Sequence, residues 1–76
     1  MTSAGILDAQ ELKCPLPVLR ARKAIRDVAA GGLLRVLATD PAATRDFRAF
    51  CEETGHVFVD AAEADGIYTI TIRKKS

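Results

Sequence analysis

The sequence predicts an α/β (α+β) two-layer sandwich, with elements in the order strand, helix, strand, helix, strand, strand. Three observations carry this expectation. Apolar residues alternate with period two near the start, in the middle and at the end of the chain, and two stretches between them repeat their apolar residues at helical spacing. Glycine or proline stands at most of the junctions. Helices with one apolar stripe cover one face of a sheet economically, and the other sheet face is left to solvent or a partner.

The elements follow in order. Gly5 to Asp8 reads as a brief first strand ended by the polar turn Ala9-Gln10-Glu11. Cys14-Pro15-Leu16-Pro17 then opens a helix running to Ala30, with Val18, Ala21, Ile25 and Val28 on one face and Gly31-Gly32 as its stop. Prolines 15 and 17 are tolerated there because first-turn amides have no intrahelical acceptor. Leu33 to Thr39 has both alternating sets largely apolar, which suits a strand covered on much of both faces. Asp40-Pro41 starts the second helix, since an Asx side chain accepts from the free amides and proline presets φ. Its buried face is Ala43, Phe47, Phe50, Cys51 and Thr54, and Gly55 ends it. Two strands complete the fold: Val57, Val59 and Ala61 alternate with His56, Phe58 and Asp60, while Tyr68, Ile70 and Ile72 alternate with Ile67, Thr69, Thr71 and Arg73. Asp65-Gly66 between them signals a type I′ hairpin turn. Lys74-Lys75-Ser76 reads as a solvated end.

Composition narrows the function. The 76 residues fit one domain spanning 1–76, with an ordered core over 5–74. A formal charge of +1 argues against strong nucleic-acid binding, which normally shows a large basic excess. No apolar run approaches the roughly 20 residues of a membrane span, and the N-terminus lacks the basic and apolar regions of a secretory signal, so a cytoplasmic protein with no direct membrane contact is expected. Two cysteines are too few for a disulfide scaffold. Cys14 and Cys51 form no Cys-x-x-Cys pair and His56 is the single histidine, so no metal and no cofactor are called for.

Cys14 stands out because it lies where a helix begins, a position that ordinarily holds Ser, Thr, Asp or Asn. A neutral thiol caps poorly, but a thiolate is favoured by free amides and by the positive end of the helix dipole. With Pro15 and Pro17 lacking N–H groups, the amides of Leu16 and Val18 are the candidate donors to a Cys14 cap. Lys13, Arg20, Arg22, Lys23 and Arg26 add positive field, and no acid intervenes before Asp27. A helix end worth about 1 kcal/mol raises the thiolate share at neutral pH several-fold. Cys14 is therefore read as a nucleophile needing no general base, framed by Pro15, Leu16 and Pro17. Arg20, Arg22 and Lys23 form a docking face for an acidic partner. Cys51 shares a face with Phe47 and Phe50 and reads as inert packing; His56 receives no role.

These residues resemble the TusA/SirA sulfur-carrier family. The likeness rests on Leu7-Asp8, Leu12, Cys14-Pro15-Leu16-Pro17, Arg22-Lys23, Thr39-Asp40-Pro41, Asp46, Phe50-Cys51 and Gly55-His56, and it runs from Ile6 to Lys74. It implies a βαβαββ fold, with a four-stranded mixed sheet and two helices packed on one face. It also implies that Cys14 holds sulfane sulfur as a persulfide, received from a cysteine desulfurase or rhodanese-type donor and passed to a downstream sulfur-relay protein. The destinations so implied are tRNA thiolation, molybdenum-cofactor maturation or sulfur oxidation, and the chain would work as a monomer with sulfurtransferase-type chemistry rather than as a stand-alone enzyme. Two positions depart from the family pattern: Glu11 stands where glycine is frequent, and Leu16 stands where tRNA-thiolation members carry an acid. The alternative reading is a non-catalytic regulatory module that holds a protein or RNA through the basic helix or the open sheet face.

Overall fold

The computed structural model describes residues 4–13 and 15–75, and Cys14 lies outside the described residues. The strands are β1 (Ala4–Ala9), β2 (Leu33–Ala38), β3 (Val57–Ala64) and β4 (Ile67–Arg73); the helices are α1 (Leu16–Ala24) and α2 (Ala43–Thr54). They form one mixed sheet in the order β1-β2-β4-β3. β1 runs parallel to β2, and the other two pairings are antiparallel. Parallel neighbours need a crossover, which α1 supplies. The observed order is the βαβαββ sandwich expected from the sequence.

The core lies between the sheet and the two helices. Leu34, Val36 and Ala38 from β2 and Ile70 and Ile72 from β4 meet Ala21 from α1 and Ala43, Phe47, Phe50 and Cys51 from α2, all at most 5% exposed. Phe47 and Phe50 pack edge to face with centroids 6.3 Å apart, the arrangement the ring quadrupole favours. The opposite sheet face is open: Ile6 is 74% exposed and Arg35 is exposed, while Leu33 and Leu37 are half-buried. The expectation that β2 is covered on much of both faces is therefore corrected. Its second apolar set owes its partial shelter to neighbouring strands.

Three boundaries also differ from the sequence reading. α1 does not reach Ala30: it tightens into a single 3₁₀ turn at Ile25–Asp27, and Val28 is extended at φ −89°, ψ 137°. That step keeps Val28 in the core while the chain returns to the sheet, where the Gly31 amide donates to the Lys74 carbonyl and the Lys74 amide to the Gly32 carbonyl. α2 is assigned from Ala43, yet Asp40 still organises its start. The Asp40 Oδ1 accepts from the Ala42 amide at 2.8 Å, and the Asp40 carbonyl accepts from Ala43. In β3 the simple alternation fails, because the register shifts between Phe58 and Asp60. Phe58 pairs with Ile72 and Ala61 with Ile70, so both pack against the core while Val59 is the extra, 42% exposed residue of a bulge.

The turns behave as expected. Asp65 and Gly66 have φ of 53° and 80°, the positive pair a type I′ hairpin requires. Gly55 ends α2 at φ 84°, its amide donating to the Cys51 carbonyl at 2.9 Å. Lys74 and Lys75, expected to be solvated, are instead anchored. Lys74 Nζ donates to the carbonyls of Arg26 and Val28, and Lys75 Nζ to that of Thr54. Each ammonium thus answers carbonyls left open where a helix stops.

Candidate functional site

Because β1 and β2 are parallel neighbours, the loops that follow them leave the sheet at the same end, the edge where α/β folds usually place their chemistry. Residues 10–13 belong to the first loop and residues 39–42 form the second. The first loop is wound on itself. Asp8 Oδ1 accepts from the Gln10 amide, the Ala9 carbonyl accepts from Leu12, and the Lys13 carbonyl accepts from Leu16 at 2.8 Å. Glu11 sits at φ 65°, in the left-handed region where glycine is at ease. The departure from the family pattern at this position is therefore one of residue type: Glu11 adopts the backbone that a glycine would adopt. Its amide donates to Thr39 Oγ1 in the second loop at 2.8 Å.

The start of α1 follows from its two prolines. Pro15 is the N-cap, with φ −95° and ψ 17°, and no side chain caps the helix among the described residues. The Leu16 amide, one of the two candidate donors to a Cys14 cap, donates to the Lys13 carbonyl; the Cys14 cap itself lies outside the described residues. Pro17 has no N–H to give and is buried. Leu19 donates to the Pro15 carbonyl. The first turn holds no acid, so nothing there cancels the positive end of the helix.

The expected docking residues separate into two roles. Leu16, Leu19, Arg20 and Lys23 share an exposed stripe, with Leu16 45% and Leu19 51% exposed. Arg22 turns the other way: its guanidinium lies 5.1 Å from the centroid of Phe50, against α2. It lines a shallow cleft of about 220 Å³ between the helices, with Pro15, Val18 and Glu53. Arg22 is thus partly a helix-to-helix packing group, while Arg20 and Lys23 face outward. Leu19 was missed in the sequence; its signal was a leucine three residues after Leu16 on the polar side of the helix.

The other sequence candidates lie elsewhere. Cys51 is buried, and burial pushes its thiol above the ordinary cysteine value. A depression of about 790 Å³ along α2 touches Cys51; Arg45, Arg48 and Phe58 line it, and it reaches Pro41 of the second loop but no residue of the first. His56 is engaged rather than idle: its ring lies 5.6 Å from that of Phe50, and its Nδ1 accepts from the Lys75 amide. Its pKa is lowered by burial first, then by the charges of Lys75, Lys74 and Arg22. Among the described residues, no three His, Cys, Asp or Glu side chains gather in a way that could hold a metal ion. No helix among the described residues is long and apolar enough to cross a membrane.

Comparisons agree with this architecture. The family model described as sulfurtransferase TusA matches residues 5–74. A protein of Neisseria meningitidis is 54% identical over 69 residues, which is 91% of this chain and 93% of that one. The sulfur carrier protein TusA of Pseudomonas aeruginosa is 49% identical over 72 residues, covering 95% of this chain and 91% of its own. The crystal structure of the SirA-like protein from Desulfitobacterium hafniense superposes with a TM-score of 0.82 at 30% identity, covering 95% of this chain and 99% of the other. With a family model spanning nearly the whole chain and relatives about half identical over more than nine-tenths of their lengths, the chain belongs to the TusA/SirA family.

Proposed function

We propose that this protein is a sulfur carrier that holds sulfane sulfur as a persulfide on Cys14. The observation that carries the reading is the start of α1, where Pro15 and Pro17 follow directly on Cys14 and the first turn bears no acid. Membership of a family whose relatives are named sulfur carriers supports the same reading.

The chemistry is a pair of exchanges. The Cys14 thiolate attacks the outer sulfur of a donor persulfide; the donor's S–S bond breaks and its thiolate leaves. Cys14 now bears the persulfide. An acceptor thiolate then attacks that outer sulfur, and the Cys14 thiolate departs, so one sulfur has moved with no net oxidation. Rates depend on the acidity of attacking and leaving thiols, as in thiol–disulfide exchange. A cysteine desulfurase or rhodanese-type protein is the donor, and a downstream sulfur-relay protein the acceptor. Leu16, Leu19, Arg20 and Lys23 lie beside Cys14 in sequence and supply the exposed surface for either partner.

The open sheet face, with Ile6 74% exposed, favours a second reading as a binding module. A relay assay with donor and acceptor proteins separates the two. Cys14→Ser abolishes transfer in the carrier reading, and the double reversal Arg20→Glu with Lys23→Glu lowers it by weakening docking. A Cys14→Ser protein that works as well as wild type would leave the binding module as the better reading.

A further inference from the structure

Resting on the reading of Cys14 as the reactive thiol, we propose that Thr39 is a positioning residue for it, holding the β1–α1 loop in register through its hydroxyl. Among the described residues, the bond from the Glu11 amide to Thr39 Oγ1 is the one hydrogen bond that ties residues 10–13 to another part of the fold. It crosses 28 positions of sequence and joins the loops that follow two adjacent parallel strands. The other bonds of this loop are local, from Gln10 to Asp8, from Leu12 to Ala9 and from Leu16 to Lys13.

The tie falls at one of the two non-glycine residues that hold positive φ among the described residues. Glu11, at φ 65°, holds a conformation that L side chains rarely adopt. Such a conformation is held by the contacts around it, and the Thr39 hydroxyl is the one that fixes the Glu11 amide to another part of the fold. Relaxation at Glu11 is passed along the chain to Lys13, whose carbonyl accepts from Leu16; these two residues flank Cys14-Pro15 in sequence. Thr39 also lines, with Glu11, Leu12, Lys13, Asp40 and Pro41, a cleft of about 270 Å³. Loss of the hydroxyl therefore loosens residues 10–13 against the start of α1, the two segments that flank Cys14 in sequence, and weakens what the helix start contributes to a thiolate there.

The test is the pH–rate curve for alkylation of Cys14 by iodoacetamide in the full chain carrying Cys51→Ala, so that one thiol reports. Thr39→Val keeps the shape and removes the acceptor, Thr39→Ala removes both, and Thr39→Ser restores the hydroxyl. The expected result is a midpoint raised by roughly 0.3–0.5 on the pH scale in the valine and alanine variants, or two- to threefold slower alkylation at pH 7, with serine close to threonine. Curves that superimpose for all four proteins would overturn the proposal, as would a serine variant that behaves like valine. Sulfur loading is read in parallel. A shifted curve in a protein that accepts no sulfur leaves the positioning role standing and removes the carrier reading, whereas an unshifted curve removes the positioning role whether or not sulfur is carried.

Discussion

The Lys75 backbone amide donates to Nδ1 of His56 at 3.0 Å, fastening the chain's final described residue to the start of β3. A ring nitrogen that accepts carries no proton, so this bond requires neutral His56 with its proton on Nε2. Burial and the charges of Lys75, Lys74 and Arg22 act in the same direction. The stability this contributes is present above the unfolded value of 6.5 and is lost as pH falls from there through the lower folded pKa. Urea midpoints measured between pH 7.5 and 5 fall in wild type, and His56→Asn flattens that part of the curve. An equal slope in both proteins would assign the loss to other groups.

Glu11→Gly removes the left-handed penalty without touching the amide that Thr39 accepts. The penalty is roughly 1–2 kcal/mol and the added chain entropy of glycine returns part of it. A gain of about 0.5–1 kcal/mol in chemical denaturation is expected. A loss would mean that the Glu11 side chain makes a contribution larger than the strain.

Cys51 sits in the core beside Phe47 and Phe50, with its thiol held protonated by burial. Thiol labelling of the folded Cys14→Ser protein is expected to be slow and to become fast in denaturant. Cys51→Ala costs about 1 kcal/mol through lost packing and leaves labelling of Cys14 unchanged. Rapid labelling of Cys51 in the folded protein would contradict the packing.

Lys74→Met keeps the aliphatic stem and removes an ammonium that serves the carbonyls of Arg26 and Val28. A loss of about 1 kcal/mol is expected. Its local signature is faster hydrogen exchange over residues 25–32, and unchanged exchange there would deny the anchoring role.

What could be read from the sequence was what is decided locally. Asp65-Gly66 and Gly55 announced their turns because positive φ is a property of one or two residues, and Phe47, Phe50 and Cys51 declared a buried face by spacing alone. Cys14 with its two prolines marked the start of a helix in the same way, with Pro15 as the N-cap and Leu16 bonded to Lys13. The rest depended on distant partners. The bulge at Val59 exists only against β4, the early end of α1 only against the Lys74 strand end, and the roles of Lys75, His56 and Thr39 only across 19 or more positions of chain. Arg22 looked like its neighbours Arg20 and Lys23 until the packing of α1 on α2 set it over Phe50.

The central claim, that Cys14 carries sulfur, is tested most directly by intact-protein mass spectrometry after incubation with a cysteine desulfurase and cysteine, or with a rhodanese-type donor. The expected result is a gain of one sulfur atom that reductant removes, retained in Cys51→Ala and absent in Cys14→Ser. No gain from either donor, or a gain that persists in Cys14→Ser, would contradict it.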